Sequence, residues 1–556
     1  MAKNTPTEVD LLVVGSGTGM AAALAAKERG LDVLIVEKTE LVGGSTARSG
    51  GGVWVPPNDV QTREGSADTK ERARTYLSSA VRDTSPAAKL DAYIEHGAEA
   101  IRMLERNTRL KMTWAKGYSD YHPELPGGAP EGRTIECKPF DTNKLKDARS
   151  LLRTGVMEAP LPMPVLGKDY KWLNLLTKKP LKGLTVAGGR FLQGVGGLLI
   201  GKRYAAGGYG LAAGMFDGVL RAGIPVWRNS PLVRLLVEDG RVVGAVVDHE
   251  GTETEIRARK GVVLSAGGYD HDMAWRKQYQ SQSLENWSLG SRGNTGDAIK
   301  AGQEIGADVA LMDQAWWFPS IAPVKEGDYP MVMLAERSLP GSILVDRHGK
   351  RFLNEAEDYM SFGHHVLERE AAGDPVGEMW MIFDAKYRKS YLLASVLYPG
   401  MPIPQDWYDA GIAVKAGNWA ELAEKIGVDA ANLQATAERF NTMAAAGKDE
   451  DFGRGDSAYD RYYGDPTNKP NPNLRPIDGK ELFAVKVLLS DLGTCGGLRT
   501  NEHVQVLDTK GNPIPGLYAT GNTAGNFFGD SYPGAGATLG QGIVGGYLAA
   551  LHASQQ

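Results

Sequence analysis

Residues 10–19 read DLLVVGSGTG, and the chain then runs through MAAALAAKERG to DVLIVEK at 32–38. The apolar run at 10–14 predicts a short buried strand. Gly15-Ser16-Gly17-Thr18-Gly19 predicts a turn, and the alanine-rich stretch that follows predicts a helix stopped by Gly30. A second strand at 32–36 ends on Glu37, twenty residues beyond Gly17, with Lys38 next. Strand, glycine turn, helix, strand and acid in this order define the dinucleotide-binding unit. The glycines let backbone approach a pyrophosphate whose charge sits on the helix N-terminus. Glu37 is expected to accept hydrogen bonds from an adenosine ribose. One position departs from the pattern: Met20 stands where Gly or Ala is usual, which predicts looser packing of helix on strand.

Working outward, a second glycine cluster follows at once, with Gly43, Gly44 and Ser45 and then Ser49, Gly50, Gly51 and Gly52. Residues 262–268, VVLSAGG, predict another strand with a close-approach turn at Ala266 and Gly267. Residues 516–522, GLYATGN, predict a strand running into a turn at Gly521 and Asn522. The stretch 538–553 predicts a helix whose first residues, Thr538 and Leu539, face the ligand, and whose positive end suits an anion. Leu232 joins these as a further cofactor contact. The cluster after Glu37 resembles that of the two-dinucleotide-binding flavoproteins, most closely the succinate dehydrogenase/fumarate reductase-type branch. The resemblance implies FAD lying along both clusters, with 516–522 as the C-terminal flavin-binding strand. Some members of that branch bind FAD covalently through a His near this cluster. No His precedes His96 here, so non-covalent FAD is expected. The fold expected is α/β: a discontinuous Rossmann-like FAD domain, 1–312 and 489–556, carrying an inserted α+β catalytic domain, 313–488.

The bulk numbers agree. A chain of 556 residues exceeds one ordinary domain, and 42% hydrophobic with 23% charged residues is ordinary for a globular enzyme. The 70 glycines are in excess and gather beside strand-like runs. A net charge of −5 gives no footprint for nucleic acid. Two distant cysteines, Cys137 and Cys495, build neither a disulfide framework nor a metal cage, and no acid or His spacing suggests a metal. No signal peptide and no transmembrane run is evident, so a cytoplasmic location is expected.

Three tyrosines stand in distinctive surroundings: Tyr121 in YSDYHPELPGG, Tyr359 in RFLNEAEDYMSFG and Tyr532 in DSYPGAGATLG. Together with 288–298 (SLGSRGNTGDA), 312–318 (MDQAWWF) and 489–498 (LSDLGTCGGL), they resemble the bacterial 3-ketosteroid Δ1-dehydrogenases of steroid breakdown. The resemblance implies a 3-ketosteroid substrate and an external electron acceptor, a quinone or a cytochrome-like carrier. It implies that Tyr532 and the Gly536 amide grip the ketone oxygen, that Tyr359 takes the C2 proton with help from Tyr121, and that the C1 hydride goes to flavin. Tyr118, Trp316, Trp317 and Phe318 are expected to wall the substrate pocket. Two rivals remain open at this level: a Δ4-(5α)-dehydrogenase and a fumarate- or enoate-type reductase. The latter needs cations for a dicarboxylate, and His364, His365, Arg337 and Arg369 are available.

Residues 160–210 form a separate feature. Within 168–203 there are eight Lys/Arg and one Asp, a local charge of +7, interleaved with LNLL, GGLLI and Trp172. Such a stretch suits an anionic membrane surface, with a peripheral place on the inner face. A surface loop or an oligomer contact is the alternative.

Overall fold

A computed structural model of the chain describes residues 7–155 and 161–556. Residues 1–6, on which the reading of a missing leader rests in part, and position 160 of the basic stretch lie outside the described residues.

Five strands run parallel in the spatial order Val226–Trp227, Val33–Val36, Glu8–Val14, Thr252–Leu264, Pro513–Ala519. Numbered along the chain, these five lie 3-2-1-4-5, the doubly wound order that opens a ligand crevice at the carboxyl ends of the strands. The apolar runs at 11–14, 33–36 and 262–264 fit burial on both faces where these strands pair. The hairpin Leu232–Glu238 and Arg241–His249 folds back antiparallel onto the first half of Thr252–Leu264. The helix Gly19–Glu28 packs against this sheet and against the C-terminal helix Ala537–Gln555, which also meets the sheet and is buried along most of its length. Small residues allow that crossing: a Cβ on Gly546 would stand 3.0 Å from the Ala22 amide nitrogen, and one on Gly542 only 2.5 Å from Thr18 Oγ1.

Met20 does not loosen the unit. Its side chain is fully buried, and the tight contact of helix on strand is made one residue earlier. A Cβ on Gly19 would stand 3.0 Å from Val13 Cγ1 and 3.3 Å from Ser265 Cβ.

A second, antiparallel sheet has the order Met331–Val332, Ala315–Ile321, Leu482–Thr494, Met379–Asp384, Ser342–Val345, with Ala413–Ala416 also on Leu482–Thr494. The strand Leu482–Thr494 runs for 13 residues through position 488, so the expected boundary falls inside a strand. The helix Tyr359–Ala371 packs on Ala315–Ile321 so closely that a Cβ on Gly363 would overlap Trp317 Cβ, at 2.1 Å.

Lys89, in the first turn of Ala87–Asn107, is 5% exposed and donates only to the Gly525 carbonyl, at 3.2 Å, over the Phe527 ring. Burial, with Arg499 nearby, pushes its ammonium down to about 8. The unfolded chain keeps that proton up to about 10.5, so the folded state is penalised fully below pH 8 and less as pH rises to 10.5. Lys89→Met should therefore stabilise the protein by about 2–3 kcal/mol at pH 7. The gain should shrink above pH 8, as read from melting temperatures of both proteins across pH. A variant that melts lower at pH 7 refutes this.

Candidate active site

A cavity of about 660 Å³ runs along the carboxyl ends of the parallel strands and on into a chamber walled by tyrosines. At the first end it is lined by Gly15, Ser16, Gly17 and Thr18, by Glu37 and Lys38, and by Gly44 and Ser45. Ser49 to Gly52, Leu232, Ala266, Gly267, Gly521, Asn522, Thr538 and Leu539 continue the wall. Of the expected cofactor contacts, Gly19 and Gly43 stand behind this wall. Gly19 packs on Val13, and Gly43 donates its N–H to Ser16 Oγ at 3.1 Å.

The donor set fits an adenine dinucleotide. Gly17 and Gly44 face each other, a Cβ on Gly44 standing 3.8 Å from Gly17 Cα, so the groove is edged by bare backbone amides. Glu37 is locked: Ser16 donates to Oε2 from its amide (3.2 Å) and its hydroxyl (2.5 Å), and Thr39 donates to Oε1 from its amide and hydroxyl at 2.9 Å each. Four donors fill the ordinary acceptor sites of this carboxylate and fix it at the cavity edge, so a ribose hydroxyl would share or displace one of the Ser16 and Thr39 hydroxyls. Lys38 is spent on the wall itself, bonded to Asp297 (2.6 Å), Thr295 (2.7 Å) and the Gly293 carbonyl (3.2 Å). Ser45 Oγ accepts from the Ser291 amide and Asn294 Nδ2, both at 2.9 Å. Asn294 escaped sequence reading, although it sits in the SRGNTGDA run already singled out.

In the chamber, Tyr118, Tyr121, Phe318, Tyr359, Tyr463, Tyr532 and Gly536 line the wall. Tyr121 lies at the centre, its ring centroid 5.1 Å from that of Tyr359 and 5.0 Å from that of Tyr532. Its hydroxyl makes no hydrogen bond of ordinary length among the described residues, yet it bears on Tyr359 and, against the burial that raises that phenol's pKa, draws it down, whereas Tyr118 OH meets Tyr359 OH at 3.0 Å. Two hydroxyls thus bear on Tyr359, one of them from a residue expected as pocket wall. Burial drives Tyr359 well above the ordinary phenol value, and the neighbouring Tyr118 and Tyr532 add to it. Tyr532 is raised by burial too, but Thr538 Oγ1, which donates to its hydroxyl at 3.2 Å, and the Gly536 amide hold it down. The Tyr532 oxygen and the Gly536 N–H are therefore neighbours on one spot of the wall. Tyr532 receives a hydrogen bond from Thr538 and keeps its own proton to donate outward.

Gly536 is required there. Its φ is +94°, and a Cβ would lie 2.2 Å from the Gly52 carbonyl carbon. It caps the helix Ala537–Gln555, whose positive end adds to the pull on an oxyanion.

The aromatic strand splits by its two-residue alternation. Phe318 faces the chamber, 4.9 Å from the Tyr359 ring. Trp316 stays behind the wall, buttressing Tyr532 at 4.7 Å and donating to Asn522 Oδ1 at 2.9 Å. Trp317 points to the other face, against Gly363 and under Arg276. Neither tryptophan lines the cavity. Tyr463 does, a residue overlooked in the sequence, where the aromatic run Tyr459, Tyr462, Tyr463 was the available signal. Of the candidate dicarboxylate cations, Arg369, His364 and His365 are engaged with side chains, while Arg337, 5.9 Å over the Tyr359 ring, keeps its Nε without a partner. Arg337 donates to the Glu355 and Glu357 carbonyls, Arg369 pairs with Asp346, His364 bonds Gln314 and His365 bonds Glu357.

A parallel sheet whose crevice is edged by glycine amides and a locked carboxylate, opening into a chamber of proton-bearing side chains, defines a dinucleotide-dependent oxidoreductase. The family described as FAD binding domain matches residues 10–539. The 3-oxosteroid 1-dehydrogenase of Mycolicibacterium smegmatis is 44% identical over 98% of this chain and 97% of its own length. The 4-oxocyclohex-2-ene-1-carboxylate 5-dehydrogenase of Sinomonas cyclohexanicum is 35% identical over 98% and 94%. Among solved structures, the 3-ketosteroid Δ1-dehydrogenase of Sterolibacterium denitrificans, in complex with 1,4-androstadiene-3,17-dione, superposes with a TM-score of 0.92 at 37% identity, covering 99% of this chain and 100% of that one. The chain belongs to the FAD-binding-domain family and, within it, to the FAD-dependent oxidoreductases represented by the 3-oxosteroid 1-dehydrogenases.

Proposed function

We propose that the chain desaturates the A ring of 3-ketosteroids between C1 and C2. The observation that carries this reading is that Tyr532 and Gly536, at the head of the helix Ala537–Gln555, line one chamber together with Tyr359. A ketone oxygen placed there receives two donors, which makes the C2 hydrogen acidic by holding the enolate charge as it forms. Tyr359 accepts that proton, the Tyr121 hydroxyl favours the developing phenolate, and Tyr118 OH stands 3.0 Å from the base. Tyr121 fills the gap between Tyr359 and Tyr532 and fixes their spacing. FAD, bound along the glycine clusters and Glu37, supplies the acceptor for the C1 hydride. Among the described residues no His or Cys lines the cavity, which supports non-covalent attachment. The division into an FAD-holding part and an inserted catalytic part is included in this reading. The commitment of Arg369, His364 and His365 to protein side chains, and their absence from the cavity lining, argue against a dicarboxylate reductase.

Mixing the oxidised holoenzyme anaerobically with androst-4-ene-3,17-dione should bleach the flavin and yield the 1,4-diene. Bleaching by a 5α-saturated ketone alone selects the Δ4 reaction instead, and no bleaching by any steroid ends the steroid reading.

The basic stretch supports a place at a membrane surface. No helix among the described residues is long and apolar enough to cross a membrane. The helix Pro180–Leu199, however, leaves Leu181 84% exposed beside Lys178, Lys179 and Lys182, and farther along leaves Leu192 71% and Leu199 84% exposed. Exposed apolar side chains beside clustered cations suit an anionic bilayer. Leu161, Pro162, Met163, Gly194 and Leu198 of the same region also line the cavity, so a steroid held in lipid has a short apolar way in. Deleting 168–203 should shift the enzyme from pelleted anionic vesicles to the supernatant. Unchanged sedimentation rejects membrane docking.

A further inference from the structure

Arg48, Arg153 and Arg292 come from three separate segments and meet at the rim of the cofactor cavity. Arg48 lines the cavity, while Thr154 beside Arg153, and Ser291 and Gly293 beside Arg292, form part of its wall. The Arg48 guanidinium lies 3.8 Å from the centroid of the Tyr329 ring, and that of Arg292 lies 4.8 Å from the same centroid. Their hydrogen bonds go to neutral acceptors: Arg48 Nε to the Leu289 carbonyl (3.1 Å), Arg153 Nη2 to Thr39 Oγ1 (2.9 Å) and Arg292 to the Gly327 carbonyl. Arg48 Nη2 and Arg153 Nε are buried with no partner. Burial above all, and then the charges of Arg153 and Arg292, press the Arg48 pKa downward against the pull of Tyr329.

Several enclosed arginines of this chain are paired with acids, Arg133 with Asp68 and Asp120, Arg351 with Glu355 and Asp449, and Arg276 with Asp491, while Arg337 and Arg388 donate to backbone carbonyls as this cluster does. Glu326 and Asp328 precede Tyr329 in sequence, yet among the described residues neither forms an ion pair with the three arginines. What sets the cluster apart is three like charges gathered at a cavity rim, Arg48 and Arg153 half-buried with an unfilled donor each and Arg292 exposed, an arrangement that an anion relieves.

We propose that this cluster docks the oxidant that empties the reduced cofactor, and that the oxidant presents an anionic face to it. The inference rests on the flavin-dehydrogenase reading and supplies the chemistry of the partner that reading leaves open. With ferricyanide as the probe the step balances: the anionic reduced flavin gives one electron to each of two ferricyanide ions and one proton to solvent.

The test is the reoxidation half-reaction of steroid-reduced holoenzyme, followed by stopped flow from low to high salt, with ferricyanide as the anionic oxidant and phenazine methosulfate as the cationic one. The net charge of −5 by itself would repel a trianion and make added salt speed the reaction. The cluster requires the opposite sign: the ferricyanide rate falls several-fold as salt rises, while the phenazine rate does not. Arg292→Glu should slow ferricyanide about tenfold, and Arg153→Gln should slow it less. Flavin content and the rate of bleaching by steroid should be unchanged in both. A wild-type ferricyanide rate that rises with salt overturns the proposal, as does an Arg292→Glu rate equal to wild type. If steroid fails to bleach the flavin, the dehydrogenase reading has failed instead, and dithionite-reduced enzyme still reports on the cluster.

Discussion

Tyr359→Phe is expected to lower kcat about 10³-fold while the protein still purifies yellow. The hydroxyl is the only atom removed, and the ring contacts of Tyr359 with Phe318 and Tyr121, at 4.9 and 5.1 Å, remain. Chamber shape and cofactor site are therefore preserved, so the loss reports on proton abstraction alone. The pH dependence gives an independent check. Burial first, then Tyr118 and Tyr532, hold the Tyr359 proton on well above the ordinary phenol range. The basic form is thus scarce at neutral pH and grows with each unit of alkalinity, so flavin bleaching by steroid should accelerate as pH rises with no plateau in the accessible range. Tyr359→Phe should flatten that profile. A variant that keeps turnover within a factor of a few of wild type, with the same pH slope, removes Tyr359 from the mechanism. Tyr118→Phe serves as the companion: it deletes the 3.0 Å hydrogen bond to Tyr359 and leaves the base in place.

The second large effect is expected at Gly536. Alanine there meets two separate costs. The left-handed backbone, φ +94°, disfavours any side chain, and the added methyl would overlap the Gly52 carbonyl carbon at 2.2 Å. Relief requires that Gly52 or the start of Ala537–Gln555 shift, and both edge the cofactor groove. The amide then no longer shares one spot with the Tyr532 oxygen. Losing one such donor costs about 10²–10³ in kcat, and displacement of Gly52 weakens cofactor binding besides. The purified Gly536→Ala protein should carry less flavin and, after reconstitution with excess FAD, should still turn over at least about 10²-fold slower. Full flavin content with normal turnover would show that the amide has no part in holding the ketone.

Much of this molecule was legible before any coordinates. The turn at 15–19, the helix after it and Glu37 are neighbours in sequence, so their joint geometry follows from local backbone rules and apolar periodicity. The same holds for the strand at 513–519 and for the terminal helix, both flagged by short runs of small and apolar residues. Pairing those distant pieces into one site needed the resemblance to a known family, because nothing local to residues 516–540 says that they return to residue 15.

Where the reading missed, a contact between segments decided. Met20 is tolerated because Gly19 takes over the close approach to Val13 and Ser265. Trp316, Trp317 and Phe318 are adjacent in the chain, and only the register against Leu482–Thr494 and the helix Tyr359–Ala371 settles which of them sees the chamber. That Tyr118 joins Tyr121 beside Tyr359 is set by residues more than two hundred positions apart.

The sequence alone determined the dinucleotide-binding fold, which rests on short-range patterns of glycine, apolar and acidic residues, and it carried the resemblance that implied FAD and the tyrosines worth testing. Only the tertiary structure decided which hydroxyls meet, which aromatics face inward and where three arginines gather without acids. Those are distances between segments remote in the chain, and a side chain's direction at such a junction is fixed by what packs against it from elsewhere.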